Sequence, residues 1–342
     1  MRQPNGAMHR LGSILSALVL VGLMGQSLTA QEGRPNFSWD HVPIYAHVGI
    51  GRGLGAEQYQ FLAEHYDFIV FTGGEFDREY RGNDALTFES IVQSAAAEVK
   101  RHNPRAKVLF YWAADLAKPH NKRSNALIPE NGRFEVQRNA RTTVDVFDTT
   151  NAELRTWWSD VAGRAVHEYG CDGIFVDGAT AFTPGSFYEQ KLGTQRCEEL
   201  EQGMFQMLSD AKRKMGAESI MLLNPLHAPH EGQELEEALG WRYLPYVDGA
   251  MVDDFDRAAN LLDRRQSKEY IAGTIRIMSE AAQRGEIVVF KAWPGFTWWS
   301  APELMAEPHA RQYEEAVNNL DFPLACFLIG AGEHCYFCYS WG

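Results

Sequence analysis

From about residue 41 onward the chain alternates between two hydrophobic patterns. Short runs of β-branched and aromatic residues, apolar at nearly every position, alternate with longer stretches whose apolar residues recur every three or four positions. The short runs are VPIYAHVGI, DFIVFTGG, KVLFYWAAD, DGIFVDG, SIMLLNPL, DGAMVDD, EIVVFKAW and PLACFLIGAGE. Continuous apolarity is what a strand buried on both faces of a parallel sheet requires. The longer stretches include TFESIVQSAAAEVKRH, AELRTWWSDVAGRAVHEYG, EELEQGMFQMLSDAKRKMG and KEYIAGTIRIMSEAAQRG, and several stop at a glycine (Gly170, Gly216, Gly285), the usual helix terminator. Eight strands with helices between them predict an α/β fold, a (β/α)8 TIM barrel. An open doubly wound sheet also alternates, but it carries a glycine-rich phosphate turn after an early strand. GIGRGLG at 49–55 has a G-x-G and no G-x-x-G continuation, so it does not support that fold.

Two places depart from the alternation. Residues 116–150 are long and polar between a strand and its helix, which is expected of a site-building insertion. The chain stops soon after the run taken as strand eight, which leaves no room for a final helix. Segment 31–41 or a partner is expected to cover that gap.

Composition narrows the picture further. The chain has 342 residues, 45% of them hydrophobic, enough for one large core over residues 31–342. Its formal net charge of −13 argues against nucleic acid as a partner. Arg2, His9 and Arg10 precede the apolar run LGSILSALVLVGLMGQSLTA, the pattern of a signal peptide covering residues 1–30 and cleaved after Ala30. The mature protein is then expected to be secreted or periplasmic, with no membrane association once the signal is removed. Five cysteines remain, and the pair in EHCYFC is taken as structural, because it lies in a strand-like run without further metal ligands. The sequence leaves the oligomeric state open.

Chemistry in such a barrel sits at the C-terminal ends of the strands. In order, the polar residues there are His47; Glu75 and Asp77; Tyr111, Trp112 and Asp115; Asp177; Asn224 with His227; Asp253, Asp254 and Asp256; Lys291 and Trp293; and Glu333 with His334. Acids dominate, and two chemistries use them. A divalent metal needs several carboxylates or histidines converging on one point. Glycoside cleavage needs two carboxyl groups flanking the bond. Trp112, Trp293, Trp298 and Trp299 beside the same tips favour sugar, and no HxH or HExxH spacing favours zinc. The catalytic pair is therefore expected at Asp177 and Asp253, with Asp254 as the rival to Asp253, since pleating sends neighbours to opposite sides. His47, Trp112, Asp115, Asn224, Asp254, Lys291, Trp293 and Glu333 are the candidate substrate-binding residues, with no metal and no cofactor. Lys291 lies among apolar residues and is expected to face the acids, because a buried lysine is costly alone. Asp172 and Asp248 start their strands and are taken as turn residues. Asp148 is equally consistent with a helix cap or a site.

These residues also carry a resemblance. VFDTTNAELRTWWSDVAGRAVHEYGCDGIFVDG resembles a segment of TIM-barrel glycoside hydrolases: an Asp, then Asn and a helix with Arg-x-Trp-Trp, then DGIF-x-DG. The two ends of the mature chain are similar to a family of hypothetical glycoside hydrolases defined from sequence. The resemblance covers most of the mature chain. It implies a carbohydrate substrate, with Asp177 as nucleophile and Asp253 in the strand-six position that is often Glu in similar barrels. Three functions are then on the table: a secreted glycoside hydrolase, a non-catalytic carbohydrate-binding barrel, and a metal-dependent hydrolase using the acids at 253–256.

Overall fold

The computed structural model describes residues 33–51, 53–73, 87–229, 232–255, 268–296 and 302–340. The expected signal peptide, Glu75, Asp77, Asp256, Trp298 and Trp299 lie outside the described residues. Eight parallel strands form one sheet in the order β1 (Ala46–Gly49), β2 (Phe68–Thr72), β3 (Lys107–Ala113), β6 (Gly173–Asp177), β7 (Ile220–Asn224), β8 (Gly249–Phe255), β9 (Ile287–Ala292) and β10 (Cys335–Tyr339). A parallel bridge between Ile44 and Phe337 joins the last strand to the chain entering the first, so the sheet closes into a (β/α)8 barrel. Helices on the outside include α1 (Ala56–His65), α2 (Phe88–His102), α4 (Ala152–His167), α6 (Thr194–Met215), α7 (Lys268–Gln283) and α10 (Asp321–Gly330). No described helix is long and apolar enough to cross a membrane.

The core has two layers, as a barrel dictates. Phe68, Val70, Leu109, Phe175, Leu222, Met251, Val289 and Tyr336 fill the interior. A larger set, among them Phe71, Phe110, Trp112, Trp158, Val176, Met204, Leu223 and Phe290, packs between sheet and helices.

One expected strand is a helix. The apolar run PLACFLIGAGE predicts strand eight, but Asp321–Gly330 is α10, and it buries Pro323, Cys326, Phe327 and Gly330. That spacing of three and four is helical, yet the run is apolar on nearly every side, so no polar face marked its period. The strand is the following run, CYFCY. Its two cysteines lie three apart on a strand and so take opposite faces, Cys335 in the outer core and Cys338 in the interior. All five thiols are buried and unbridged. Nor is the 116–150 insertion a bare loop. It holds the short helix α3 (Lys122–Asn125) and the hairpin β4 (Arg133–Asn139) and β5 (Thr142–Phe147). Segment 33–41 does not stand in for a last helix; Phe37 packs on the interior core from below, and Tyr336 Oη donates to Pro35 O at 2.9 Å.

The twice-written Asp-Gly is a clamp between strands. Asp172 accepts the Val108 N–H of the preceding strand at 2.8 Å and pairs with Lys100 of α2 at 2.8 Å. Asp248 accepts the Met221 N–H at 2.8 Å and pairs with Lys212 of α6 at 2.6 Å. The glycine after each lets the next strand approach: a Cβ on Gly173 would run into Ile220 O, and one on Gly249 into Ile287 O.

Candidate active site

The interior core fixes which residues face inward, since alternate residues of a strand share a face. Two residues beyond Tyr45, Val70, Leu109, Phe175, Leu222, Met251, Val289 and Cys338 lie His47, Thr72, Tyr111, Asp177, Asn224, Asp253, Lys291 and Ser340. These eight form the inner rim at the C-terminal mouth. Their heights follow from the register. Gly49 is level with Thr72, Tyr111, Phe175, Leu222, Gly249, Ile287 and His334, and His334 is level with His41. One circuit thus descends by the shear of about eight that such a barrel carries, and a horizontal layer climbs about one residue per strand. His47, Tyr111, Asn224 and Lys291 make one layer. Thr72, Asp177, Asp253 and Ser340 make the next, at the opening.

Asp177 is held on three sides. Tyr111 Oη donates to Oδ2, Asn224 Nδ2 donates to Oδ1 at 3.1 Å, and Lys118 Nζ lies 3.5 Å from Oδ2. Burial first, then the Asp177 charge, raise the Tyr111 phenol far above its ordinary range, so it remains a donor. Asp115 lies beside this group. Burial pushes its carboxyl up to about 6; Lys118 opposes the shift and Asp177 adds to it. The loop carrying Lys118 is anchored from below: Asn125 Nδ2 donates to Lys118 O at 2.7 Å, and Glu89 Oε1 accepts from Ser124 N and Oγ at 2.9 and 2.8 Å. His120 packs between Phe88 and Tyr111, and burial lowers its pKa to about 4.

The other half of the rim is more enclosed. Burial, with Lys291 second, holds His47 well below the ordinary imidazole range, and Tyr45 Oη lies 3.4 Å from its Nδ1. Lys291 is only 6% exposed, and its ammonium lies 4.0 Å from the Trp293 ring centroid. A bulge separates the pairs Val252–Phe290 and Phe255–Ala292, so Asp253 and Asp254 together oppose Lys291. The bulge changes the simple alternation expected for these two acids; the side chain of Asp254 lies outside the described set. Among the described residues no group of three or more His, Cys, Asp or Glu side chains is placed to hold a metal.

Two candidates fall elsewhere. Trp112 is 1% exposed in the outer core, where its Nε1 donates to Trp158 O at 3.3 Å. It follows Tyr111, and one step along a strand reverses the face. Glu333 is exposed and precedes β10, at the opposite end of the barrel, because strand eight lies later in the chain than expected. Asp148 ties down a turn, accepting from Thr150 N at 3.1 Å and pairing with Arg196 at 3.0 Å, while Asn151 caps α4. Sequence reasoning left out Lys118 and named Tyr111 without assigning it a role. The alternation of Leu109 and Tyr111 would have marked Tyr111, had the inner face been known.

A closed eight-stranded barrel with two acids, a lysine and a histidine on its inner rim defines the architecture of a barrel enzyme. The chain belongs to the family described as Hypothetical glycosyl hydrolase family 15, whose model matches residues 100–342. It is a glycosidase by that membership. No curated protein matches it in sequence. Among solved structures it is similar to the dextranase of Flavobacterium johnsoniae complexed with glucose, at 10% identity and a TM-score of 0.50, over 88% of this chain and 37% of that one. The glycoside hydrolase domain of PelA from Pseudomonas aeruginosa aligns at 13% identity and a TM-score of 0.45, over 80% and 90% of the two chains. An α-galactosidase from Thermus thermophilus, in complex with p-nitrophenyl α-D-galactopyranoside, aligns at 13% and 0.45, over 90% and 59%. At these identities the likeness concerns the fold.

Proposed function

We propose that the protein is an exported glycoside hydrolase that cleaves a poly- or oligosaccharide between Asp177 and Asp253. The observation that carries the reading is the setting of Asp177, with Tyr111, Asn224 and Lys118 all directed at its carboxylate. Two hydrogen bonds and an ion pair fix this carboxylate in place at the mouth, the setting a nucleophile or general base needs. Asp253 falls in the same layer two strands away and is the group to protonate the leaving oxygen. His47, Asn224 and Lys291 lie on the same inner rim and would hold sugar hydroxyls, with Trp293 behind Lys291. Export rests on the basic and apolar pattern of residues 1–30.

The test is turnover on a panel of polysaccharides, read as new reducing ends. Asp177→Asn should abolish turnover on whichever substrate the wild type cleaves, with unfolding unchanged. Wild-type activity in that variant would remove Asp177 from the reaction.

A further inference from the structure

One ammonium lies against Asp177 at the mouth, and a second carboxyl, that of Asp115, sits within its field but not in contact with it. Lys118 Nζ is 3.5 Å from Asp177 Oδ2, and the same cation acts on Asp115. The other donors are not shared. Tyr111 and Asn224 donate to Asp177, while among the described residues no side chain donates to Asp115. Asp115 Oδ1 is buried and without a partner among the described residues.

Its position is built in. Phe147 N, at the end of the hairpin, donates to Asp115 O at 2.8 Å, and Leu116 bridges to Val146. The side chain lies over Gly178, which has φ 74°, and a Cβ on Gly178 would run into Asp115 Oδ1. The glycine directly after Asp177 therefore seats a second carboxyl beside the first. The groups facing Asp115 are Lys118 from its own loop, Tyr111 from β3, Asp177 from β6, and Tyr188 from α5 (Phe187–Leu192), with Arg138 of the hairpin beyond Tyr188.

We propose that Asp115 is a positioning residue for Asp177: it holds a proton while Asp177 carries the charge, and releases that proton when Asp177 loses its charge in the reaction. This rests on the reading of Asp177 given above. Two half-buried carboxylates facing one ammonium would repel, and the donors decide which of them ionises. The carboxyl of Asp115, raised to about 6, is consistent with that division. In the reaction an Asp177 oxygen bonds either the anomeric carbon or a proton of the attacking water. The glycosidic C–O bond breaks, and its oxygen takes a proton from Asp253. Lys118 would then face no anion. Asp115 gives its proton to solvent water and takes over as partner of Lys118, and the exchange reverses when Asp177 is freed.

The test uses the full chain with 13C-labelled Asp carboxyls. Asp115 should titrate near pH 6 in the wild type. Asp177→Asn should move that midpoint down by about one unit or more, and Lys118→Met should move it up. On the best polysaccharide, Asp115→Asn should lower kcat about 10- to 100-fold with KM changed by less than about threefold. It should also erase the fall in kcat/KM above pH 6. A midpoint near the ordinary value of about 4, unmoved by both variants, overturns the proposal. Full activity in Asp177→Asn overturns the reading of Asp177 by itself, whatever Asp115 does.

Discussion

Asp172 and Asp177, like Asp248 and Asp253, stand at opposite ends of one strand, and the structure assigns the two ends different work. Replacing Asp172 by Ala removes a carboxylate that accepts the Val108 N–H at 2.8 Å and pairs with Lys100 at 2.8 Å. A hydrogen bond to a charged group contributes about 1.5–3 kcal/mol, and a partly exposed ion pair about 0–1 kcal/mol. The expected loss is therefore about 1.5–4 kcal/mol of folding stability. Asp248→Ala removes the matching contacts, the Met221 N–H and Lys212, and should cost a similar amount, Asp172 having Lys107 at 3.7 Å as a further, weaker partner. The two clamps share no partner, so the double variant should be additive within about 0.5 kcal/mol. Its total of about 3–8 kcal/mol is a large share of the roughly 5–15 kcal/mol that holds a typical domain folded. Urea unfolding followed by tryptophan fluorescence measures this, and turnover below the transition measures the other half. Both single variants should retain wild-type turnover while folded. A loss under about 0.5 kcal/mol, or inactivity in a fully folded variant, would refute the division between a stability end and a working end.

Tyr111→Phe deletes the phenolic donor to Asp177 but keeps Asn224 and Lys118. Turnover should fall about 10- to 100-fold, the kinetic equivalent of a charge-assisted hydrogen bond, with little change in Tm. Wild-type turnover in Tyr111→Phe would show that the hydroxyl plays no part. Glu286, below the barrel, is pushed up to about 7 by burial, with Arg34 opposing and Asp248 adding. A carboxyl raised on folding adds stability that is complete below its unfolded value of about 4.3 and is lost as pH rises through about 7. Glu286→Gln should therefore match the wild type at pH 4 and exceed it at pH 8 in urea unfolding. An equal difference at both pH values would contradict the sign.

Much of the barrel was legible because burial leaves few choices. A polar residue inside an apolar strand is expensive, so His47, Asp177, Asn224, Asp253 and Lys291 stood out, and all five lie on the inner rim. What the pattern lacked was facing. Both faces of a barrel strand are buried, so nothing in KVLFYWA says that Tyr111 looks into the mouth and Trp112 into the helices. Glu333 was misplaced for a different reason. A run as apolar as PLACFLIGAGE has no polar side to reveal its period, and the true strand, CYFCY, is short and begins after Glu333. Lys118 and Asp115 lie on a loop, where position is set by contacts with Glu89, Val146 and Gly178 that are distant in sequence.

The repeated Asp-Gly and its closing acid have a geometric reason that neither copy reveals alone. Gly173 is level with Ile220 on β7, whereas Gly249 is level with Leu222, two residues further along the same strand. A climb of two residues over two strands is the slope of a horizontal layer in this barrel. The clamps therefore set β6 and β8 at equal heights, and equal spacing from clamp to acid delivers Asp177 and Asp253 to one layer. Adding or deleting a residue between Asp248 and Asp253 would turn the acid out of the mouth, because one step reverses its face. Adding two would restore the face and lift the acid out of the layer. The bulge at Asp253–Asp254 fits this constraint: it takes up its extra residue at the acids, so the strand below keeps the register that the clamp fixes.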